Sequence, residues 1–421
     1  MYKIEDLKKL SIAQIFLTLL DYCFERSRHT QKCPAISDEL FIQLGVQRIM
    51  ERVKSGREFL QKLDEEDDLE ITRSSFFSTL QSQRRLLLTE EITQVFYELM
   101  QKYFEQFDVD FLKEFPELND YQVWAGDGHY IDHACHTGKD SSGKNYGAGT
   151  LYAQDLRTGL MHVVTAITDG SRKNHEMPLF RRAVEKIKAK KILWVLDRAY
   201  IDKAWWAEQS KLGQNVIVLV KEGSVVIKKK NLKFDATKEI NTGVQSVYIA
   251  QLGKGGPIHK IVEYEDPETG NKYRYMCTVK GVEPGLVAWL YQMRWRIEKS
   301  YDTYKNDLYE QKAWATGKTA LKIQSHMIAM TYNLLRFVKE FLNSEEDIED
   351  TKVEEKFTKN LDIREKKAKI KGRSIHPFLR KMPRMAKLSS QFIRAFKNYF
   401  YQEISLTALI PKFRRRMEVY L

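Results

Sequence analysis

The stretch KILWVLD, residues 191–197, decides the fold class, because five consecutive apolar residues are followed directly by an aspartate. A short apolar run without alternation predicts a strand that is buried on both faces. The flanking stretches HEMPLFRRAVEKIKAK and DKAWWAEQSKLG carry apolar residues at helical spacing, and NVIVLVKE is a second short apolar run. Strands that alternate with helices predict an α/β fold in which helices cover a sheet.

Three more strand-like runs precede this unit. VWAGDG, residues 123–128, is predicted to be a strand that ends at Asp127, while GTLYAQD and GLMHVVTAITD flank the turn signal DLRTG and predict a hairpin. The order is therefore three strands, helix, strand, helix, strand. This order predicts a mixed sheet flanked by helices, and in such sheets functional residues collect at the strand ends.

The rest of the chain divides by its residue patterns. The basic stretch ITRSSFFSTLQSQRRLLL, residues 71–88, contains a short helix that Thr72 or Ser74 can cap. This helix either enters a DNA groove or packs against neighbouring helices, and packing is the commoner outcome. Residues 223–282 lose the helical period and contain the turn signals GKGG and DPETGNK, so we expect a β-rich insertion that lies outside the sheet. The predicted regions are 1–118, helical and a candidate for DNA binding; 119–222, the first part of the α/β core; 223–282, the insertion; 283–343, the second part of the core; and 344–421, a basic helical region.

The composition favours a polyanionic partner. The 421 residues carry a net charge of +12, with a sequence pI near 9.2. Nucleic acid is favoured over a membrane, because no lipidation motif stands out and the N-terminal apolar run is too short to span a bilayer. The four cysteines form no CxxC pair, which disfavours a disulfide framework or structural zinc and fits a reducing, cytoplasmic setting; they are Cys23, Cys33, Cys135 and Cys277.

The stretch YQMRWRIEKSYDTYK, residues 291–305, is predicted to be part of one long helix with an unusual polar face. At about 100° per residue, Tyr291, Arg294, Glu298 and Lys305 fall on one narrow face beside the apolar stripe, where a helix lines a cleft. Ordinary surface charge is the alternative interpretation. The apolar stripe consists of Leu286, Leu290, Met293, Ile297, Tyr301, Tyr304 and Leu308.

Three acids are candidates for a shared metal site: Asp127 and Asp197 at predicted strand ends, and Glu298 on the charged helix. Carboxylates that come together repel one another unless cations neutralise them. Oxygen ligands select Mg²⁺ or Mn²⁺, and two such ions about 4 Å apart activate water and stabilise the leaving oxygen of a phosphodiester. The basic neighbours of Glu298 would then hold the phosphates.

These residues carry a family resemblance. The spacing Y-x2-R-x3-E-x6-K, formed by Tyr291, Arg294, Glu298 and Lys305, is similar to the signature of bacterial insertion-sequence transposases of the DDE class, in the insertion-sequence-four group. The resemblance implies a ribonuclease H-like catalytic domain, often with a β-rich insertion before the glutamate. It also implies metal binding by Asp127, Asp197 and Glu298, and contacts from Tyr291, Arg294 and Lys305 to DNA phosphates.

The implied function is cleavage of DNA at the ends of a mobile element and strand transfer into target DNA. The expected cofactor is a pair of Mg²⁺ or Mn²⁺ ions, and the expected partners are the terminal repeats, the target DNA and a second copy of the chain. Two alternatives stay open: a transposase-derived DNA-binding protein that no longer cuts, and a plain metal-dependent nuclease.

Two residues depart from the family pattern. His129 stands two places after the first aspartate, where the family usually has a small hydroxyl residue, and Ala199 stands where it usually has glycine. A zinc site is a further hypothesis, raised by the cluster His129, His133, Cys135 and His136. The favoured interpretation is that these histidines are solvated or hydrogen-bonded. For Trp289 and Trp295, packing is favoured over stacking on an unpaired base.

Overall fold

The structure is a computed structural model that describes residues 2–33, 36–51, 53, 55–67, 71–134, 148–167, 176–187, 191–346, 351–380 and 388–419. Within these residues, nine strands form one mixed sheet, and no helix is long and apolar enough to cross a membrane. The strands are β1 (Gln122–Ile131), β2 (Ala148–Asp155), β3 (Met161–Ile167), β4 (Ile192–Leu196), β5 (Gln214–Leu219), β6 (Val226–Asn231), β7 (Val244–Leu252), β8 (Ile258–Glu265) and β9 (Lys272–Cys277).

Helices cover the sheet and extend beyond it. Those that precede the sheet are α1 (Ile4–Leu7), α2 (Ile12–Phe24), α3 (Asp38–Met50), α4 (Gly56–Asp67), α5 (Arg73–Thr79) and α6 (Gln83–Gln106). Those that alternate with strands are α7 (Glu176–Val184) and α8 (Lys203–Lys211). Those that follow the last strand are α9 (Pro284–Met293), α10 (Trp295–Asp302), α11 (Lys318–Glu346), α12 (Thr351–Ile370), α13 (Ser390–Phe400) and α14 (Leu406–Val419).

The strand order is β3-β2-β1-β4-β5-β9-β8-β7-β6. Strands β1, β4 and β5 run parallel, and the hairpin β2–β3 joins β1 in antiparallel fashion. The predicted mixed sheet flanked by helices is therefore confirmed. The arrangement of its first five strands is consistent with the expected ribonuclease H-like domain.

The expectation that residues 223–282 lie outside this sheet is wrong. The segment is β-rich, but its strand β9 pairs with β5 through Val218 and Met276, so that β6 to β9 extend the same sheet at one edge. An exposed β5 edge would leave a row of backbone N–H and C=O groups without protein partners. Pairing with β9 removes that edge, and β1 still pairs directly with β4.

The side-chain alternation of β1 assigns its two faces to different helices. Trp124 packs in a cluster with Phe180 of α7 and Trp206 of α8. Val123 and Ala125 point the other way and pack in a cluster that includes α9. Since alternate residues of a strand share a face, Asp127 lies on the α9 side of the sheet.

The basic stretch considered for groove binding is largely engaged inside the protein. Thr72 caps α5 by accepting a hydrogen bond from the Ser75 amide. Arg84 and Arg85 belong instead to α6, and both form ion pairs with Asp38. The packing interpretation therefore describes these two arginines better than groove binding does.

The helices before and after the sheet share a hydrophobic core. Helices α1 to α6 pack in the same cluster as α11, α13 and α14. Within it, the rings of Tyr103 on α6 and Phe337 on α11 lie 5.2 Å apart. These helices hold α11 on the sheet, and through it the segment that carries Glu298.

Candidate active site

The two aspartates lie side by side, where the pairing of two adjacent parallel strands ends. The pairing of β1 with β4 ends at Gly126 and Leu196, so Asp127 and Asp197 are the next residues on each strand. Strand β1 itself continues to Ile131 beside β2, and the prediction that it ends at Asp127 is therefore wrong. The Asp197 carboxylate caps the following turn by accepting a hydrogen bond of 2.6 Å from the Arg198 amide.

The glutamate arrives on a helix that is less regular than predicted. In place of one helix, α9 ends at Met293 and α10 begins at Trp295, with Arg294 at the junction in right-handed helical geometry. A π-helical turn, Thr303–Asp307, follows α10. The predicted apolar stripe is confirmed, since each of its seven residues is at most 7% exposed.

Arg294 links the acid on strand β1 to the acid on helix α10. Its Nη1 donates to Asp127 Oδ2 at 3.3 Å and to Glu298 Oε1 at 3.4 Å. The arginine is 4% exposed. A buried guanidinium therefore lies between two of the three candidate acids and shares its single positive charge between them.

The pKa of Asp127 responds to its burial and to the charges around it. Burial raises the pKa of Asp127 from 3.8 to about 6; the Arg294 charge and the Gly128 amide oppose this rise, while the charges of Glu298 and Asp197 add to it. A buried carboxyl beside two further acids is a position at which an added cation is stabilising. The sequence predicted that these three residues lie together, and the structure brings Glu298 and Asp197 within electrostatic reach of Asp127.

The donor chemistry fits a hard divalent cation, although the side chains are not arranged as a finished metal site. Within the described ranges, no three His, Cys, Asp or Glu side chains stand close enough to hold a metal ion. Carboxylate oxygens are the donors that Mg²⁺ and Mn²⁺ prefer. Arg294 supplies the positive charge between Asp127 and Glu298 that a metal ion would otherwise supply.

The other signature residues differ in exposure. Tyr291 is 7% exposed, and its ring packs 4.9 Å from that of Tyr275 and 5.5 Å from the Arg294 guanidinium. Lys305 is exposed and lies in the π-helical turn. The prediction that it shares the face of Glu298 assumed 3.6 residues per turn, and that spacing does not hold through a π-helical segment.

Sequence reasoning missed a set of tyrosines beneath the acids. Each candidate acid is followed three residues later by a tyrosine, and these are Tyr130, Tyr200 and Tyr301. The Tyr301 hydroxyl donates to the Asp127 carbonyl at 2.6 Å, which ties α10 to β1. The hydroxyls of Tyr130 and Tyr200 both donate to Glu176 at the start of α7. The repeated acid-x2-Tyr spacing was the available signal.

The zinc hypothesis gains no support from His129. Its Nε2 lies 3.2 Å from Glu310 Oε2 in a buried pair, without the directionality of a hydrogen bond. Its ring packs 4.7 Å from that of Tyr301. Cys135 and His136 lie outside the described residues.

The alanine that replaces the usual glycine is tolerated by the backbone. Ala199 lies in the short helical turn Arg198–Tyr200. It is not among the described residues with positive φ. No left-handed conformation is therefore imposed on this position, and a side chain there carries no backbone strain.

The two tryptophans that flank the signature differ. Trp289 is 2% exposed and stacks on His376, as the packing interpretation predicted. Trp295 is 57% exposed, so that interpretation is wrong for this residue. Its indole lies 5.4 Å from the Arg294 guanidinium. An exposed aromatic side chain thus stands beside the arginine that pairs with two of the candidate acids.

The basic C-terminal region is partly engaged in structural contacts. Arg364 forms an ion pair with Glu268 at 2.6 Å, which fastens α12 to the loop between β8 and β9. A cavity of about 610 Å³ is lined by residues that include Lys397 and Arg416, but by none of the candidate site residues. Lys397 donates to the Asp307 carbonyl at 2.7 Å and so supports the π-helical turn.

Comparison with known proteins identifies the family. The family model described as a transposase DDE domain matches residues 123–334, which run from β1 into α11 and include all three candidate acids. The chain belongs to this family of transposases, whose members bind DNA and generally use divalent metal ions. A search of curated proteins gave no match.

Proposed function

We propose that this protein is the transposase of an insertion sequence of the insertion-sequence-four group. It cuts phosphodiester bonds at the ends of its own element and joins the freed 3′ hydroxyls to target DNA. The observation that carries the proposal is the convergence of Asp127, Asp197 and Glu298, from three separate parts of the chain, around the buried Arg294. The Tyr-Arg-Glu-Lys spacing and the family match to residues 123–334 support it.

Asp127, Asp197 and Glu298 are proposed to hold two Mg²⁺ or Mn²⁺ ions. When bound, such ions supply activation of water and stabilisation of the charge on the leaving oxygen. The pairing of β1 with β4 ends one residue before the two aspartates, which makes them neighbours at the strand ends. Glu298 is carried by a helix whose apolar side is packed into the core. In the first reaction water attacks the phosphorus at the element end and displaces the 3′ oxygen, which leaves as the free 3′ hydroxyl. In the second reaction that hydroxyl attacks a target phosphodiester and displaces the 3′ oxygen of the target strand.

Tyr291, Arg294 and Lys305 are proposed to position the DNA backbone. Arg294 has a guanidinium whose partners are the acids themselves, so it is placed to bind the scissile phosphate once other cations neutralise those acids. Lys305 is exposed and supplies a second positive charge after the helix of Glu298. The exposed Trp295 indole is suited to stack on an unpaired base near the cut.

The same function suggests an assembly and a cellular setting. Two protomers are proposed to pair the two ends of the element, and the net charge of +12 supports binding of long DNA. Among the described residues, Cys23, Cys33 and Cys277 are free thiols, which suits a reducing cytoplasm. The division into a helical region 1–118, a core in two parts, an insertion at 223–282 and a basic region 344–421 is proposed on the sequence pattern.

The test is a strand-transfer assay with the DNA that flanks the gene. A labelled duplex carrying the flanking inverted repeat is incubated with the protein, Mg²⁺ and a supercoiled target, and a duplex with a scrambled repeat is the control. We expect a cut at the repeat end that leaves a 3′ hydroxyl, followed by products joined to the target. Binding without cutting would favour the inactive DNA-binding alternative, and cutting without joined products would favour a plain nuclease.

A further inference from the structure

A fourth acid, Glu176, links the two strands that carry the candidate aspartates. It is the first residue of α7 and is half-buried. Its Oε1 accepts a hydrogen bond from the Tyr130 hydroxyl, and its Oε2 accepts one of 2.7 Å from the Tyr200 hydroxyl. One carboxylate therefore satisfies two phenol groups that come from different parts of the chain.

Each of these tyrosines is close in sequence to a candidate aspartate. Tyr130 follows Asp127 by three residues on β1. Tyr200 follows Asp197 by three, and its amide donates to the Asp197 carbonyl at 3.0 Å. The backbone pairing of β1 with β4 ends one residue before the aspartates. The Tyr130–Glu176–Tyr200 bridge therefore holds the two segments together in the region that backbone pairing does not reach.

Glu176 lies on the opposite side of β1 from the Asp127 side chain. A Cβ atom added at Gly128 would lie 3.4 Å from both Glu176 carboxylate oxygens and 3.3 Å from the Tyr130 ring. Gly128 and Tyr130 share one face of the strand, and Asp127 lies on the other. Glu176 is therefore placed to support the aspartates from the opposite face of β1, and not to bind a metal ion beside them.

We propose that Glu176 is a positioning residue, which sets the separation of Asp127 and Asp197 for metal binding through the hydroxyls of Tyr130 and Tyr200. This inference rests on the proposed function and goes beyond it, because neither the signature nor the three acids include Glu176. Groups that orient metal ligands from outside commonly change metal affinity by 10- to 100-fold when they are removed.

The first test measures the affinity of the full chain for Mn²⁺ by electron paramagnetic resonance. The measurement is made on the protein alone and on the protein bound to a duplex that carries the flanking repeat. In Glu176→Gln the amide nitrogen cannot accept a hydrogen bond, so one tyrosine hydroxyl loses its acceptor. We expect about 10-fold weaker Mn²⁺ binding with unchanged affinity for DNA. The Mg²⁺ concentration that gives half-maximal cleavage should rise by a similar factor.

Glu263→Gln is the matched control. Glu263 on β8 also accepts a tyrosine hydroxyl, from Tyr248 at 2.8 Å, together with the Ser246 hydroxyl. Its replacement removes comparable hydrogen bonds in the β6–β9 segment of the sheet, and Mn²⁺ affinity should not change. An equal loss of Mn²⁺ affinity in this control would show that the effect is one of general stability, and would overturn the proposal.

A second variant keeps the proposal testable if Glu176→Gln does not fold. The double substitution Tyr130→Phe, Tyr200→Phe removes both hydroxyls, keeps both rings, and should weaken Mn²⁺ binding to the same extent. Wild-type Mn²⁺ affinity in a folded Glu176→Gln or in this double variant would overturn the role of Glu176 while leaving the proposed function intact. If the unchanged protein binds no Mn²⁺ even with DNA, the proposed metal chemistry itself fails, and the role of Glu176 with it.

Discussion

Replacement of Arg294 by methionine should destabilise the metal-free protein far more than the metal-bound protein. The guanidinium lies 3.3 Å from Asp127 and 3.4 Å from Glu298 and is 4% exposed. At an effective dielectric constant of about 20, each contact is worth about 5 kcal/mol of gross attraction. Desolvation offsets much of this, and removing one partner of a buried pair costs about 3–5 kcal/mol. The lower end of this range applies, because the Glu298 side chain is 37% exposed and water partly screens its charge.

The assay is urea unfolding in a chelator and in saturating Mg²⁺. In the chelator, Arg294→Met should lower the free energy of unfolding by about 3 kcal/mol, because Asp127 and Glu298 lose their shared cation. In Mg²⁺ the loss should fall by half or more, because the bound ion replaces the missing charge. The same variant should bind Mn²⁺ more tightly than the unchanged protein does, since a competing cation has been removed.

The control is Arg336→Met. Arg336 on α11 is also buried and forms an ion pair with Glu340 at 2.9 Å, away from the candidate acids. Its substitution should cost a similar free energy of unfolding in the chelator and in Mg²⁺. An Arg294→Met loss that is equal in the two conditions would refute the reasoning, because it would show that Mg²⁺ does not replace the charge of Arg294.

Three further predictions concern DNA and pH. Lys305→Ala should reduce the slope of log affinity for DNA against log salt concentration by about one. The control Lys113→Ala removes a lysine that is paired with Asp108 and should leave the slope unchanged. Equal slopes for the two variants would reject the contact of Lys305 with a phosphate. Trp295→Ala should leave the free energy of unfolding in urea unchanged, because the side chain is exposed. It should weaken the binding of an end duplex that has an unpaired base by about 1–3 kcal/mol, and it should not affect the binding of a fully paired duplex. The pKa of Asp127 is raised from 3.8 to about 6, so the folded protein binds more protons than the unfolded chain between these pH values. The stability of the metal-free protein should therefore fall as pH rises through this window, and Asp127→Asn should remove about 3 kcal/mol of that fall. Parallel curves of stability against pH for the two proteins would contradict this prediction.

The α/β core could be predicted because its signals are local. The apolar run 192–196 forms the buried strand β4, and the DLRTG turn joins β2 and β3 as a hairpin. Runs that are buried on both faces must be apolar throughout, so composition alone marks them. The candidate acids were found in the same way, since Asp127 and Asp197 follow such runs.

The edge pairing and the helix irregularities could not be read from local pattern. The pairing of β9 with β5 joins distant segments, and the period of two in each strand does not encode its partner. The break at Arg294 and the π-helical turn that carries Lys305 arise in a stretch whose apolar spacing fits a regular helix. The helical spacing of about 100° per residue therefore placed Glu298 near Arg294 correctly. For Lys305 it assumed a spacing that the π-helical turn does not keep.

The support beneath the site was also hidden in the sequence. Glu176 was treated only as part of a helical stretch, because its partners Tyr130 and Tyr200 are distant in the chain. The exposure of Trp295 depends on how α10 lies against the sheet edge, and an isolated tryptophan gives no sign of it. Such contacts become visible only when the strand order is known.

The most direct test of the central claim is the rate of end cleavage in Mg²⁺ for Asp127→Asn, Asp197→Asn, Glu298→Ala and the triple variant. If the three acids hold the metal ions together, each single variant should lose at least about 1,000-fold, corresponding to several kcal/mol of charge stabilisation. The triple variant should lose little more, since groups that act as a unit are not additive. DNA binding should be retained in all four variants. Substantial cleavage by Glu298→Ala would contradict the account and would make Asp302, one turn further along α10, the acid to test next.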